Sequence, residues 1–136
     1  MEKEAEGWDW IGINLDDGSA LMAFRMRTPQ RSQLWAGGSL RHADGRLETF
    51  APHDVRFLPR RQWKSSRTGA TYPVSFLVQA GGREFEIEPL FDDQEHDTRA
   101  STGTVYWEGA VRALTGGKPV GSGYLELTGY WKRPDL

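Results

Sequence analysis

Two carboxylates in the C-terminal third of the chain, Glu108 and Glu126, have a spacing that would let them act together as an acid and a base. Strict alternation along residues 104–114 and 124–131 places the two glutamates on matching faces of consecutive strands. Folding the predicted hairpin about Lys118 makes them diagonal neighbours. Two carboxyl groups in one polar cavity can perform general acid–base catalysis. The alternative is the polar outer face of an antiparallel sheet.

A third carboxylate, Asp9, lies between Trp8 and Trp10. Burial against the two tryptophans would raise the pKa of this carboxyl group and keep it protonated, as a general acid requires. An aspartate on the surface of the protein fits the same spacing, so both interpretations stand.

Other kinds of site have less support from the sequence. The chain has no cysteine, which excludes disulfides, thiolate catalysis and cysteine-type zinc sites. The acidic segment 92–97 lacks the glycine and the distal glutamate of a calcium loop, so we interpret it as a solvated loop. The three histidines lack the paired spacing of a zinc site, and no serine lies in a nucleophile elbow. The glycine-rich residues 116–119 and 121–123 precede no helix and are predicted to be turns. We therefore expect no metal and no cofactor.

The elements that must position these groups are predicted to be short strands. The 136 residues fit one domain over 1–136, and 16 glycines with 12% aromatic residues favour an all-β fold. Turn signals at 16–18, 43–45 and 80–82 separate apolar runs at hairpin distance, which predicts an antiparallel up-and-down β-barrel of about eight to ten strands. Strands are expected at 8–15, 20–26, 34–41, 46–50, 54–58, 72–79, 84–91, 104–114 and 124–131. The least ordered segments should be 1–6, 28–33 and 92–102.

The charge of the chain argues against a nucleic-acid partner. Seventeen basic and 19 acidic residues give a net charge of −2, whereas nucleic-acid binders normally have a clear basic excess. The longest apolar runs are too short for a transmembrane helix, and the acidic start at 1–6 does not resemble a signal peptide. We therefore expect a soluble protein, and its compartment is left open.

Several motifs resemble one known family. GWDW at 7–10, LDDG at 15–18, YWEGAV at 106–111 and GSGYLELTGY at 121–130 are similar to motifs of the carotenoid 1,2-hydratase-like (AttH-like) proteins, which have lipocalin-like domains. The match also includes Trp63, the pair Tyr72-Pro73 and the pair Gln94-Glu95. The resemblance implies a calycin-type barrel that corresponds to the C-terminal half of a two-domain protein about twice as long. Residues 1–6 stand where the family has a further acidic and aromatic segment.

The resemblance also implies a chemistry. Enzymes of this family are lyases that add water to an isolated alkene of an apolar, terpenoid-type substrate. On that basis Asp9 is the expected acid, with Glu108 and Glu126 as further catalytic candidates. The expected ligand-binding residues are the aromatic ones nearby: Trp8, Trp10, Tyr106, Trp107, Tyr124 and Tyr130.

Two functions without catalysis remain open. The chain fits a barrel that binds a hydrophobic small molecule, and it fits an interaction domain that packs on an N-terminal half or forms a homodimer. If the parent protein is a hydratase, we expect this chain alone to be inactive. Without the family's upstream segment, Asp9 should be partly exposed and its pKa should stay near the ordinary value of about 4.

Overall fold

In the computed structural model, which describes residues 5–132, the sequence folds almost entirely into strands. The twelve strands are β1 (Gly7–Leu15), β2 (Ala20–Arg27), β3 (Gln33–Arg41), β4 (Leu47–Phe50), β5 (Val55–Pro59), β6 (Gln62–Lys64), β7 (Thr71–Pro73), β8 (Phe76–Ala80), β9 (Arg83–Pro89), β10 (Glu95–Thr98), β11 (Thr104–Thr115) and β12 (Lys118–Leu127). Among residues 5–132, the helical structure consists of one 3-10 turn, Pro52–Asp54. None of the described residues belongs to a helix long and apolar enough to cross a membrane.

Ten of the strands form one curled antiparallel sheet. Its order is β4-β3-β2-β1-β12-β11-β9-β8-β5, with β10 beside β11, and β6 and β7 form a separate ribbon. Consecutive hairpins account for most of the order, and β12 returns to pair with β1. The all-β, antiparallel up-and-down, lipocalin-like fold predicted from the sequence is therefore confirmed.

Side chains join the two ends of the sheet. The terminal strand β5 packs against β2 and β3. Arg25 Nη1 on β2 donates to the carbonyl oxygen of Phe57 at 3.1 Å, and Gln33 Nε2 on β3 donates to that of Val55 at 2.8 Å. Polar side chains from one end of the sheet thus satisfy backbone carbonyls at the other, where strand pairing ends.

The core forms on the inner face by the alternation expected of strands. On β9, Phe85 and Ile87 are buried, while the glutamates at 84, 86 and 88 lie on the other face. The largest fully buried apolar side chains are Trp107, Tyr72, Phe76, Ile11, Ile13, Ile87, Leu125 and Leu127. Their burial is the main term that stabilises the fold.

Two strand predictions differ from the structure. The predicted strand 72–79 is two strands, β7 and β8, separated by Val74 and Ser75. The last strand begins at Lys118 and ends at Leu127, because the turn before it is confined to Gly116 and Gly117, with φ of +57° and +80°. Both positive φ values suit the mirror-image hairpin turn, which needs only two residues.

Two short strands, β6 and β10, had no clear sequence signal. The expectation of little order across 92–102 is wrong at residues 95–98, which form β10 and pair with residues 104–107 of β11. The expectation for residues 1–6 falls mostly outside the described part of the chain, which begins at residue 5.

The side chain of Gln94 replaces a strand in a gap beside β11. β10 pairs with residues 104–107 and β9 with residues 111–114, which leaves the backbone between them without a strand neighbour on that side. Gln94 Oε1 accepts a hydrogen bond from the amide of Ala110 at 2.7 Å, and Gln94 Nε2 donates to the carbonyl oxygen of Ala110 at 2.9 Å. The side chain occupies the space above Gly109, where a Cβ atom would lie 2.2 Å from Gln94 Cδ.

We predict that Gly109→Ala destabilises the protein by about 1–3 kcal/mol, because the added methyl group would displace a hydrogen-bonded amide. Urea unfolding followed by tryptophan fluorescence measures the change. The double variant Gly109→Ala/Gln94→Ala is the control and should be no less stable than Gln94→Ala alone. Additive losses in the double variant would contradict the proposed clash.

Candidate functional site

The carboxylate of Asp9 is fully buried and has three donors. Arg25 Nε donates to Asp9 Oδ2 at 2.6 Å, and Arg27 Nη1 donates to Asp9 Oδ1 at 2.7 Å. The hydroxyl of Tyr130 also donates to Asp9 Oδ1, at 2.8 Å. We call these four residues the Asp9 cluster.

Strand pairing explains why these groups meet. Asp9 lies directly opposite Arg25 in the β1–β2 ladder, and Arg27 lies two residues further along the same face of β2. Arg27 Nη2 donates to the carbonyl oxygen of Thr128 at 2.5 Å, and its guanidinium lies 3.9 Å from the ring centre of Tyr130. A buried charge is tolerated only when it is paired and hydrogen-bonded, and most of the donors and acceptors of this cluster have partners.

The expectation that Asp9 would be partly exposed is wrong: its side chain has no exposed surface. β1 is flanked by β2 on one side and β12 on the other, and the amide of Glu6 donates to the carbonyl oxygen of Arg27 at 2.8 Å. The start of the strand is therefore held in the sheet, and Asp9 lies on its inner face.

The Asp9 cluster has the chemistry of an ion-pair network. Arginine side chains do not lose their protons in proteins. Burial, followed by the nearby charge of Asp9, raises the pKa of the Tyr130 hydroxyl well above its ordinary value, so this group keeps its proton. The role of Asp9 as a proton donor stays a prediction, and it would require loss of these ion pairs.

A second buried carboxylate, Glu95, was not singled out in the sequence. Its side chain has no exposed surface and accepts hydrogen bonds from Ser65 Oγ at 2.6 Å, Thr68 Oγ1 at 2.7 Å and Tyr72 OH at 2.7 Å. Arg67 Nη2 donates to it at 3.2 Å. Burial and the hydrogen bond to Glu95 raise the pKa of Tyr72 well above its ordinary value. In the sequence, the feature that could have identified Glu95 as a site residue was the family motif pair Gln94-Glu95.

The two buried carboxylates lie at either end of a group of aromatic rings. The ring centres of Tyr72 and Tyr130 are 5.9 Å apart, and the indole of Trp63 stacks on Tyr72 at 6.1 Å. Glu95 is bonded to the first tyrosine and Asp9 to the second. Ring contacts thus join the β6–β7 ribbon to the residues after β12, and hydrogen bonds tie the two tyrosines to β10 and β1.

The acidic segment 92–97 is more ordered than a solvated loop. Arg61 donates to both carboxylate oxygens of Asp92 at 2.8 Å, and Arg67 donates to both of Asp93 at 2.6 and 2.7 Å. Each hydrogen-bonded arginine lowers the pKa of its aspartate below the ordinary value. Among residues 5–132, no three His, Asp or Glu side chains are grouped so that they could hold a metal ion.

Glu108 and Glu126 lie on the outer face of the sheet. They are directly opposite each other in the β11–β12 ladder, so the predicted diagonal relation is wrong. The turn at 116–117 and a register shift after Ala113 account for the difference. Both side chains alternate with buried neighbours and are partly exposed, as the outer-face alternative requires.

The other predicted site residues are divided between the two faces. Trp8, Trp10, Tyr106 and Tyr124 lie outside, where Trp8 Nε1 donates to Glu126 Oε1 at 2.8 Å. Trp107 is fully buried in the core, and its indole donates to the carbonyl oxygen of Asp92 at 2.8 Å. The structure therefore brings Asp9 together with Tyr130, and Trp8 with Glu126, but on opposite faces.

A cavity of about 530 Å³ lies at the other end of the barrel from the Asp9 cluster. Its apolar wall includes Leu15, Leu40, Phe85 and Val120. Leu15 is six residues from Asp9 along β1, which corresponds to about 20 Å. None of the nine predicted site residues is among the residues that line this cavity.

The rim of this end cavity is polar. His42 and Arg83 line it and both contact Glu48, at 3.1 and 3.2 Å. The hydrogen bond from Arg83, and then that from His42, lowers the pKa of Glu48 below its ordinary value. An apolar wall with a few polar groups at its mouth is typical of small-molecule sites.

The sequence profile of the AttH-like family matches residues 1–130. The chain belongs to the AttH-like family. The resemblance seen in the motifs is therefore confirmed. No curated protein matches this AttH-like chain.

Two solved structures are similar to this AttH-like chain. An AttH protein of Nitrosomonas europaea is 54% identical, with a TM-score of 0.91 over 97% of this chain and 41% of its own. Kievitone hydratase of Nectria haematococca is 20% identical, with a TM-score of 0.69 over 91% of this chain and 39% of its own, and shares the fold. The chain thus spans about two-fifths of the length of each protein.

We predict that Asp9→Asn destabilises this AttH-like chain by about 3–5 kcal/mol, because it leaves two buried guanidinium groups without a carboxylate. Chemical unfolding followed by circular dichroism measures the loss. Asp16→Asn, at an exposed position on the same hairpin, is the control and should change stability by less than about 0.5 kcal/mol.

If Asp9→Asn does not fold, Tyr130→Phe tests the same cluster. It removes one hydrogen bond to Asp9 and keeps both ion pairs, so the expected loss is about 1 kcal/mol. Unchanged stability in both variants would show that the cluster does not stabilise the fold.

Proposed function

We propose that this AttH-like chain is a lipocalin-like domain that binds a hydrophobic, isoprenoid-type small molecule in the end cavity. The observation that carries the proposal is the cavity itself: about 530 Å³, with Leu40, Phe85 and Val120 in its wall. This volume falls within the range of about 300–1,000 Å³ typical of ligand pockets. An apolar ligand gains from leaving water there, and its polar end can remain at the rim near His42 and Arg83.

The mouth of the end cavity supports a ligand with one polar end. Arg83 and His42 share Glu48 as a partner at distances of 3.1–3.4 Å. Arg83 has further N–H groups that can donate to a ligand, and Nδ1 of a neutral imidazole that donates through Nε2 can accept from one. Asp17 also lines the rim, and its carboxylate is already bonded to the amide and hydroxyl of Ser19. A hydroxyl or carbonyl group on an otherwise apolar ligand fits this arrangement better than a second charge.

We predict that retinol, used as a fluorescent isoprenoid probe, binds with saturation near one equivalent at micromolar concentration. Val120→Arg, which places a long cation in the cavity wall, should weaken binding by at least about tenfold because the charge would lose solvation next to the ligand. Retinol fluorescence during titration measures both affinities.

Ser122→Arg is the matched control for this titration. Residue 122 lies on the same strand as Val120, is exposed, and is not part of the cavity lining. The control should bind retinol like the unchanged protein. A flat titration of the unchanged protein, or equal weakening by both variants, would contradict ligand binding in the end cavity.

A second part of the proposal concerns the reaction: the bound ligand is the alkene substrate of a hydration. Acid-catalysed hydration needs a neutral acid that donates a proton to one alkene carbon, and a water that adds to the resulting cation. Aromatic rings can stabilise that cation. In this chain, Asp9 is paired with two arginines and Glu95 accepts four hydrogen bonds, and neither lines the end cavity. We therefore assign substrate binding to this chain, and assign the acid to another part of a longer AttH-like protein.

We predict that the chain alone does not hydrate an acyclic isoprenoid alkene. Mass spectrometry of the extracted alkene should show no product heavier by one water than the substrate, beyond the control without protein. Product formation that Asp9→Asn abolishes in a folded variant would instead place the acid in the Asp9 cluster.

A second candidate function is an interaction domain that packs on an N-terminal partner half or on a second copy of the chain. The observation that favours it is the exposure of large aromatic side chains: Trp8 is 43% exposed, Trp35 55% and Tyr124 56%. Such exposure on one face is typical of interaction surfaces.

A further inference from the structure

The outer surface of four neighbouring strands forms a continuous apolar face. In the order β3-β2-β1-β12, the register places Trp35, Met26 and Trp8 in one row, Phe24 and Trp10 in the next, and Met22 and Tyr124 in a third. We call these seven residues the aromatic face. Outer faces of antiparallel sheets are usually polar when they meet water.

Two glycines keep the aromatic face flat. A Cβ atom on Gly12 would lie 2.5 Å from Cη2 of Trp10, and one on Gly37 would lie 3.2 Å from Cε1 of Phe24. The two rings therefore lie over glycine backbone instead of standing out from the sheet. Close approach of the rings to the backbone lowers the outer surface locally, and apolar sheet faces pack on one another in β-sandwiches.

The seven residues of the aromatic face are uncharged, but one carboxylate lies among them. Glu126 is on β12 in the row of Trp10 and accepts a hydrogen bond from Trp8 Nε1 at 2.8 Å, and Glu108 continues that row on β11. Beyond the row of Tyr124, the next row contains Arg41 and Arg112, both exposed. Because the glutamates and the arginines lie in different rows, a two-fold axis that reverses the strand direction can place the glutamate row of one copy opposite a row other than its own, which avoids like-charge contacts.

The aromatic face has the size of the centre of a dimer interface. Four strands about 4.8 Å apart and three rows of side chains give a patch roughly 20 Å on a side, or about 400 Å², so the surrounding rows must supply about half of a standard interface. A standard interface buries about 800 Å² per partner, with an apolar centre and a polar rim. The aromatic face supplies such a centre, and the charged rows beside it supply the rim.

We infer that the aromatic face binds a second copy of this chain, as a two-fold dimer in which the two sheets pack face to face. The inference rests on the interaction role proposed above and is independent of ligand binding in the end cavity. Two-fold pairing places the same patch on both subunits, so one set of residues serves both sides of the contact.

Light scattering coupled to size-exclusion chromatography tests the inference on the 136-residue chain without ligand. At about 100 µM the chain should have twice the monomer mass of 15.4 kDa. Trp35→Lys and Trp8→Lys should each raise the dissociation constant by at least about tenfold, and the double variant should be monomeric, because a buried cation opposes the contact. Circular dichroism checks that each variant folds.

Phe91→Lys and Leu47→Lys are matched controls, because both positions are large, apolar and more than half exposed but lie outside the aromatic face. Both should dimerise like the unchanged chain. A monomer mass at every concentration would overturn the inference, as would a dimer that the Trp8/Trp35 double variant leaves intact or one that the control variants weaken equally. Retinol binding by a monomeric chain would still support the ligand proposal, so the two failures are distinguishable.

Discussion

The buried ion pairs of Asp9 are the interaction on which the geometry of the sheet depends. One carboxylate in the core brings the guanidinium groups of Arg25 and Arg27 to the inner face of β2, where an unpaired cation would be strongly unfavourable. Arg25 then reaches the carbonyl oxygen of Phe57 on the last strand of the sheet, and Arg27 reaches that of Thr128 after β12. Through these two arginines, the carboxylate of Asp9 connects the first strand to the terminal strand β5 and to the residues that follow β12.

The buried carboxylates and the end cavity lie at opposite ends of the barrel. Asp9 and Glu95 satisfy arginine, tyrosine, serine and threonine donors at one end, around Tyr72 and Tyr130. The end cavity lies at the other end, where hairpin turns bring apolar side chains together around a space. Ion pairs and hydrogen bonds offset the desolvation cost of the buried charges at one end, whereas an apolar cavity without charged groups can accept an apolar ligand. The AttH-like family profile matches residues 1–130, and the chain spans 41% of the length of the solved AttH relative.

Much of the fold followed from the sequence, and much of the site did not. Glycine-containing turns and period-two alternation identified most strands, because both signals are local. Alternation shows that Glu108 and Glu126 share a face of the sheet, but it does not determine whether that face is the core side or the outer side. Their direct pairing depended on a two-residue turn and one register shift. The burial of Asp9 depends on arginines 16 and 18 residues away, and that of Glu95 on the distant ribbon, so alternation along the neighbouring residues does not reveal that either carboxylate is buried and paired.

The glycines beneath Trp10 and Phe24 have a consequence for how such sequences diverge. Because each ring occupies the volume that a methyl group on Gly12 or Gly37 would need, the glycine and the ring form one unit of packing. A larger residue at Gly12 requires the Trp10 ring to become smaller or to turn away from the backbone, whereas at Gly37 a shift of the Phe24 ring by a few tenths of an ångström makes room for a methyl group. Aligned relatives should therefore show positions 10 and 12 changing as a pair, and positions 24 and 37 changing more independently.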